Sequence, residues 1–298
     1  MIINLNQWND RMKIAFLITA YNNYNHLKRL LTALNDNNVA FFIHINKKSE
    51  MPNTLNEFDN VVFIERINVW WAGWSLVDAT IRLIRYAHTC GFDYYILLSG
   101  TDYPIRPNSF LIKILSNGGE YINISEGFCD HKTEDRIKYY YFDCFDRRNL
   151  GNIKTLFFLM LESTLQLFVQ KKTYPFKQIY HGSTWWALSH DCLTYVLDLI
   201  DTRKDYCRFF RTCWAPDEFF FQTIIGNSPF FGKCKTNLTY TDWSSEPAPA
   251  LINQNHIDLF KRNIEFQDAY GTYTPFFARK FDDNSATIVA LIDKELRN

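Results

Sequence analysis

The strongest constraint on how this chain folds is a series of short, unbroken apolar runs separated by amphipathic stretches. The runs are IAFLITA at 14–20, AFFIHI at 40–45, VVFI at 61–64 and YYILLS at 94–99. Each is continuously apolar rather than alternating and too short for an ordinary helix, which is the signature of strands buried on both faces. Helical spacing appears between them, at 26–34 and 76–89. Strand and helix in this rhythm imply right-handed βαβ units, a mostly parallel sheet and the α/β class. Ligands of such sheets bind at the carboxyl ends of the strands, so the loops after Ala20, Ile45, Glu65 and Ser99 are the places to search.

The second half is less regular. A strand at 120–125 leads into a charged, Tyr-rich segment at 130–149. An apolar helix at 153–170, a strand at 183–189, helices at 191–201 and 216–225, and an extended stretch at 237–243 follow. No repeat or linker interrupts the 298 residues, so one domain over 12–298 is expected, behind a polar leader at 1–11. Lys plus Arg and Asp plus Glu balance at 32 each, which leaves no broad field to attract nucleic acid. The seven Cys (90, 129, 144, 192, 207, 213, 234) show no CxxC pair and no His at ligand spacing. That pattern argues against a disulfide framework or a structural zinc and for a reduced, cytoplasmic setting. The first apolar run falls far short of the ~20 residues that span a bilayer. Aromatics reach 17%, and Trp70, Trp71, Trp74, Trp185, Trp186, Trp214 and Trp243 sit in short polar stretches, where an indole face suits the C–H face of a sugar as well as it suits a core.

Two segments carry candidate chemistry. In WAPDEFFFQ at 214–222, Pro216 fits a first helical turn, and Asp217 and Glu218 suit the positive end of a helix. Helix initiation alone accounts for both acids. Equally, a carboxylate fixed there can serve as general base toward a sugar hydroxyl, which is too weak an acid to react unaided. In ILLSGTDYPI at 96–105, Gly100 permits a close turn, and Asp102 lies at the carboxyl end of a strand, either bonding its own turn or facing a ligand.

Together with IAFLITAYNNYNHLKRLL at 14–31, FIHINKKS at 42–49, WAGWSLVDA at 71–79, HGSTWWALS at 181–189, TDW at 241–243 and FARKFD at 277–282, these segments resemble the core-2/I-branching enzyme family. That family, number 14 in the sequence-based classification of glycosyltransferases, includes branching β-1,6-N-acetylglucosaminyltransferases and peptide O-xylosyltransferases. The resemblance implies a GT-A type fold, a UDP-sugar donor, inversion at the anomeric carbon and catalysis without a metal cofactor. It divides the chain into a nucleotide-sugar half, 12–125, and an acceptor and catalytic half, 126–298. By matching motif positions it makes Glu218 the base and puts Lys280, with Arg279 beside it, on the diphosphate. Asn46 and Asp102 fall on the donor side, and Glu126, Arg136 and Trp243 on the acceptor side. The commonest family donor is N-acetylglucosamine, with xylose next. The acceptor is a glycan, free or lipid-linked.

The chain departs from the family pattern in three ways. Asn46 stands where an Asp is usual, and no Lys or Arg occupies 247–256, leaving His256 or Arg279 as substitutes. The membrane anchor and lumenal cysteine framework of animal members are not evident, which points to a bacterial-type or cytosolic member. The helix at 153–170 reads as a core or self-association helix, or as an interfacial one flanked by Arg147, Arg148, Lys154, Lys171, Lys172 and Lys177. The rival functional readings are a non-catalytic sugar- or nucleotide-binding protein and a metal-dependent transferase of another family.

Overall fold

The computed structural model describes residues 12–298 except 53, 54, 56 and 172. The expected leader at 1–11 lies outside the described residues. Along the chain run β1 (Ile14–Ala20), α1 (Tyr24–Leu34), β2 (Val39–Ile45), β3 (Val61–Phe63), α2 (Trp74–His88), β4 (Tyr94–Ser99), β5 (Asp102–Pro104) and α3 (Asn108–Ser116). Then come β6 (Glu120–Ile122), β7 (Ser125–Glu126), α4 (Asp135–Lys138), α5 (Ile153–Phe168), β8 (Tyr180–His181), β9 (Trp186–Ser189), α6 (His190–Thr202), α7 (Lys204–Phe210) and α8 (Phe220–Gly226). The last elements are β10 (Cys234–Lys235), β11 (Thr239–Thr241), α9 (Gln254–Arg262), β12 (Phe266–Asp268), β13 (Gly271–Tyr273), β14 (Phe277–Arg279) and α10 (Ala286–Leu296).

The architecture is α/β, with a seven-stranded sheet in the order β10-β6-β9-β4-β1-β2-β3. β1 pairs in parallel with both β2 and β4. Because side chains alternate along a strand, each apolar run feeds two cores. Ala15, Leu17, Phe42 and Leu97 pack against Val77 and Ile84 of α2 and Val196 of α6. Phe16, Ile18, Phe41 and Leu98 pack against Leu27 and Leu30 of α1, Phe260 of α9 and Ile292 of α10. Coverage on both faces is why the runs are unbroken. One strand is reversed: β9 lies antiparallel between β4 and β6, and so joins the second half of the chain to the first. A smaller sheet, β11-β14-β5, sits beyond the carboxyl end of β4.

Two local expectations are corrected. The helix expected at 216–225 is a single 3-10 turn, Pro216–Glu218, followed by α8. The Glu218 carbonyl accepts from Gly182 N–H (2.9 Å), which ties the end of the turn to the residue after β8. The helix at 153–170 forms as α5 but is no core helix. It buries Thr155 and Glu162 and exposes Ile153, Leu156, Phe157, Met160, Leu167 and Phe168. Arg147 explains the reversal. Its guanidinium bonds both carboxylate oxygens of Glu162 and lies 4.6 Å from the Trp214 ring. Lys171 also turns inward, donating to the carbonyls of Ile137, Tyr139 and Thr212.

Candidate active site

Glu218 ends its 3-10 turn with its side chain 26% exposed. Oε2 accepts from Arg136 Nη1 at 2.6 Å. Oε1 has Lys132 Nζ at 3.8 Å, beyond hydrogen-bond range. One oxygen is therefore anchored, and the other keeps lone pairs for a proton. Lys132 Nζ donates to the Tyr270 hydroxyl (3.3 Å), which the turn between β12 and β13 brings in. His181 of β8 lies 6.1 Å from the Tyr270 ring, its Nδ1 2.9 Å from the Gly127 carbonyl. Burial, and secondarily the nearby Lys132 and Arg136, hold His181 below its ordinary proton affinity. Because a carbonyl only accepts, the neutral ring carries its proton on Nδ1.

The turn is locked from behind. Thr184 Oγ1 donates to Asp217 Oδ2 (2.7 Å), and Gln222 Nε2 donates to the Ser183 carbonyl (2.6 Å). Between these bonds and β8, Gly182 presses so closely on Asn123 that a Cβ would sit 1.7 Å from its carbonyl oxygen. Only glycine admits that approach. Asp217 is half-buried with its Oδ1 shielded from solvent, and burial first, then the Glu218 charge, pushes its carboxyl up to about 6. An acid that gains proton affinity on folding contributes stability that is complete below its unfolded value, 3.8, and lost as the pH rises through about 6. Asp217→Asn is free of that loss. Its melting temperature relative to the parent protein should climb between pH 4 and 7, by the equivalent of about 1–3 kcal/mol. A difference that stays constant across that range would refute the argument.

Three of the residues expected on the donor side, Asp102, Arg279 and Lys280, come together beyond the carboxyl end of β4. β5 and β14 place Asp102 opposite Arg279, with Asp102 Oδ1 3.1 Å from Arg279 Nε and Oδ2 accepting Ser99 N–H at 2.6 Å. Asp102 is wholly buried, bonding its own turn through Ser99 and pairing with Arg279, which matches the turn alternative of the sequence reading. The Arg279 guanidinium lies 4.4 Å from the Trp185 ring. Trp185 adjoins Thr184, so contacts run from Asp102 through Arg279 and Trp185 to the turn that holds Glu218. Lys280 is half-buried, and the described residues give its Nζ neither a hydrogen bond nor an ion pair. Its backbone is paired with Ala250 and Ile252, so the 247–256 segment does pack beside it.

The remaining candidates divide. Asn46 spends its amide on the Val69 carbonyl (2.9 Å) and on the Val69 and Lys48 N–H groups, which fastens the loop after β3. His256 is unsuited to replace a phosphate cation, because Asn253 and Asp242 take its two ring nitrogens. Glu126 is exposed on β7, which pairs with β8, and Arg136 touches Glu218 itself. Trp243 is 66% exposed just past β11. Of the other tryptophans, Trp74 and Trp186 belong to the core and offer no face to a sugar. Phe219, Phe220 and Phe221 are also buried in the core, and the ring linked to the carboxylate, through Lys132, is Tyr270.

Among the described residues no three His, Cys, Asp or Glu side chains gather closely enough to hold a metal ion. A cavity of about 490 Å³ lies at the amino ends of β1 and β2 and has no basic side chain in its lining. Sequence reasoning missed Lys132 and Tyr270. Lys132 had a signal, four residues before Arg136 in the charged segment. Tyr270 had none, because only a distant hairpin brings it in.

Residues 14–262 match the family model for the core-2/I-branching enzyme. Among curated proteins, the chain is 26% identical over 312 residues to xylosyltransferase 2 of Rattus norvegicus, covering 96% of this chain and 34% of that protein. It is 25% identical to xylosyltransferase 2 of Homo sapiens over the same shares. It is also 25% identical to xylosyltransferase 1 of Rattus norvegicus, over 91% of this chain and 34% of that protein. The chain thus spans about a third of the length of the curated relatives it matches.

Proposed function

The chain belongs to the core-2/I-branching enzyme family, and from that premise we propose that it is an inverting, metal-independent glycosyltransferase of GT-A type that moves a sugar from a UDP-sugar to a glycan hydroxyl. The observation that carries this reading is Glu218, held on Arg136 through one oxygen and open at the other. The acceptor hydroxyl attacks the anomeric carbon opposite the nucleotide, Glu218 Oε1 takes its proton, and the bond to the diphosphate breaks. Lys280 meets the charge that grows on the leaving group, as a mobile ammonium suits a phosphate oxygen. Arg279, fixed by Asp102 and Trp185, frames that side. Glu126, Arg136 and Trp243 receive the acceptor, a glycan that is free or lipid-linked. N-acetylglucosamine is the first donor to test. The names of the xylosyltransferase relatives favour xylose as the second. All seven cysteines are free thiols, which fits a reducing, cytoplasmic setting.

Two measurements test the reading. The matching UDP-sugar should raise the melting temperature, by the equivalent of about 2.7 kcal/mol at a hundred times its Kd. Lys280→Ala loses a charge-assisted contact of about 1.5–3 kcal/mol and should lower kcat/KM by roughly 10- to 100-fold. Binding of UDP-sugars without release of UDP would instead mark a non-catalytic binding protein. Loss of transfer in excess EDTA would mark a metal-dependent one.

A further inference from the structure

We infer that α5 is a docking element for the surface of an anionic lipid bilayer. Ile153, Leu156, Phe157, Met160, Leu167 and Phe168 are all exposed, Ile153 and Phe168 at more than 80%. At about 100° per residue these six fall within one arc of roughly 120°, interrupted only by Thr164. The opposite arc holds Thr155 and Glu162, both buried, with Phe158, Leu159, Leu165 and Gln166 half-buried. The helix therefore buries its one carboxylate and leaves a broad apolar arc in solvent, where a surface helix of a soluble protein places charge. Such an arrangement persists because Arg147 supplies Glu162 with a bidentate partner inside.

The charge around the face selects the occupant. From 147 to 171 the chain has four cations and one carboxylate, Glu162, and that carboxylate is buried. Arg147 and Lys171 are buried as well, which leaves Arg148 and Lys154 exposed at the amino end of α5. Asp146 lies 3.4 Å from Arg148. Lys154 is in the first turn and lies along the Phe158 ring (5.9 Å), placed to carry its ammonium to headgroup level while the neighbouring apolar side chains enter the acyl boundary. A second copy of the chain is a poorer fit. Sixteen residues make a strip about 24 Å long and about 10 Å wide, well under the roughly 800 Å² per partner of a stable interface. The docked face also shares a scaffold with the active site. Arg147 packs on Trp214, Trp214 N–H donates to the Arg136 carbonyl (2.7 Å), and Arg136 holds Glu218.

The test is co-sedimentation of the whole protein with vesicles of phosphatidylcholine, with and without a third of phosphatidylglycerol, at low salt. The protein should pellet with the anionic vesicles, with partition at least 10-fold weaker on the neutral ones. Ile153→Ser/Phe157→Ser/Phe168→Ser should abolish pelleting without lowering the melting temperature, because all three side chains are exposed. Protein that stays in the supernatant with both vesicles would overturn the inference, as would equal pelleting with both or a triple variant that pellets like the parent. So would light scattering that finds a dimer which the triple variant converts to monomer. None of these readouts depends on transferase activity, so failure here leaves the proposed reaction standing and the converse also holds.

Discussion

Glu218→Gln is expected to lower sugar transfer by about 10²–10⁴-fold, the range that a positioned general base contributes. Glutamine keeps the shape and can still accept from Arg136 through its amide oxygen, so the turn and its hydrogen bond to Gly182 survive. It has no basic oxygen to take the acceptor proton. The loss should therefore fall on kcat, while the UDP-induced rise in melting temperature stays within error of the parent protein. Measuring both in one preparation separates chemistry from folding and from donor binding. Retention of more than a tenth of the turnover would remove Glu218 from the mechanism.

The second large effect is on stability. Glu162 and Arg147 are each about 5% exposed or less at their side chains and form a bidentate pair. Glu162→Ala strands a guanidinium among the Phe145 and Trp214 rings and leaves the Phe142 N–H without its acceptor. Breaking a buried pair from one side costs about 3–5 kcal/mol. Replacing both partners by apolar residues of similar size, Arg147→Met with Glu162→Leu, should recover most of that loss, because the desolvation penalty of both charges disappears with them. Thermal or urea unfolding of the two variants checks this. A single variant as stable as the parent would show that the pair adds nothing.

Much of the molecule was legible in the chain itself. β1, β2 and β4 announce themselves because strands covered on both faces need no polar residues, and the order of strands and helices through residue 99 follows. The acid pair at 217–218 was equally visible, since proline followed by acids is a local signal. Other features depend on partners remote in sequence. Nothing around Trp186 says that β9 runs against its neighbours. Periodicity locates the apolar arc of α5 but not the direction it faces, which Arg147 decides. Because it closes a strand, Asp102 read equally as a turn bond or as a ligand contact. Its burial depends on Arg279, 177 positions away, coming to lie opposite it.

The placement of β9 also bears on whether the molecule can be divided. β4 receives its second neighbour only when residues 186–189 arrive, more than eighty positions after its own last residue. Until then its free side presents a row of unsatisfied amide and carbonyl groups on a strongly apolar ribbon, a template for pairing with any other extended segment. A fragment ending at residue 125 would carry that open border permanently and be prone to aggregation, so the segments before and after that point are not modules that evolution or a cloning experiment can exchange freely.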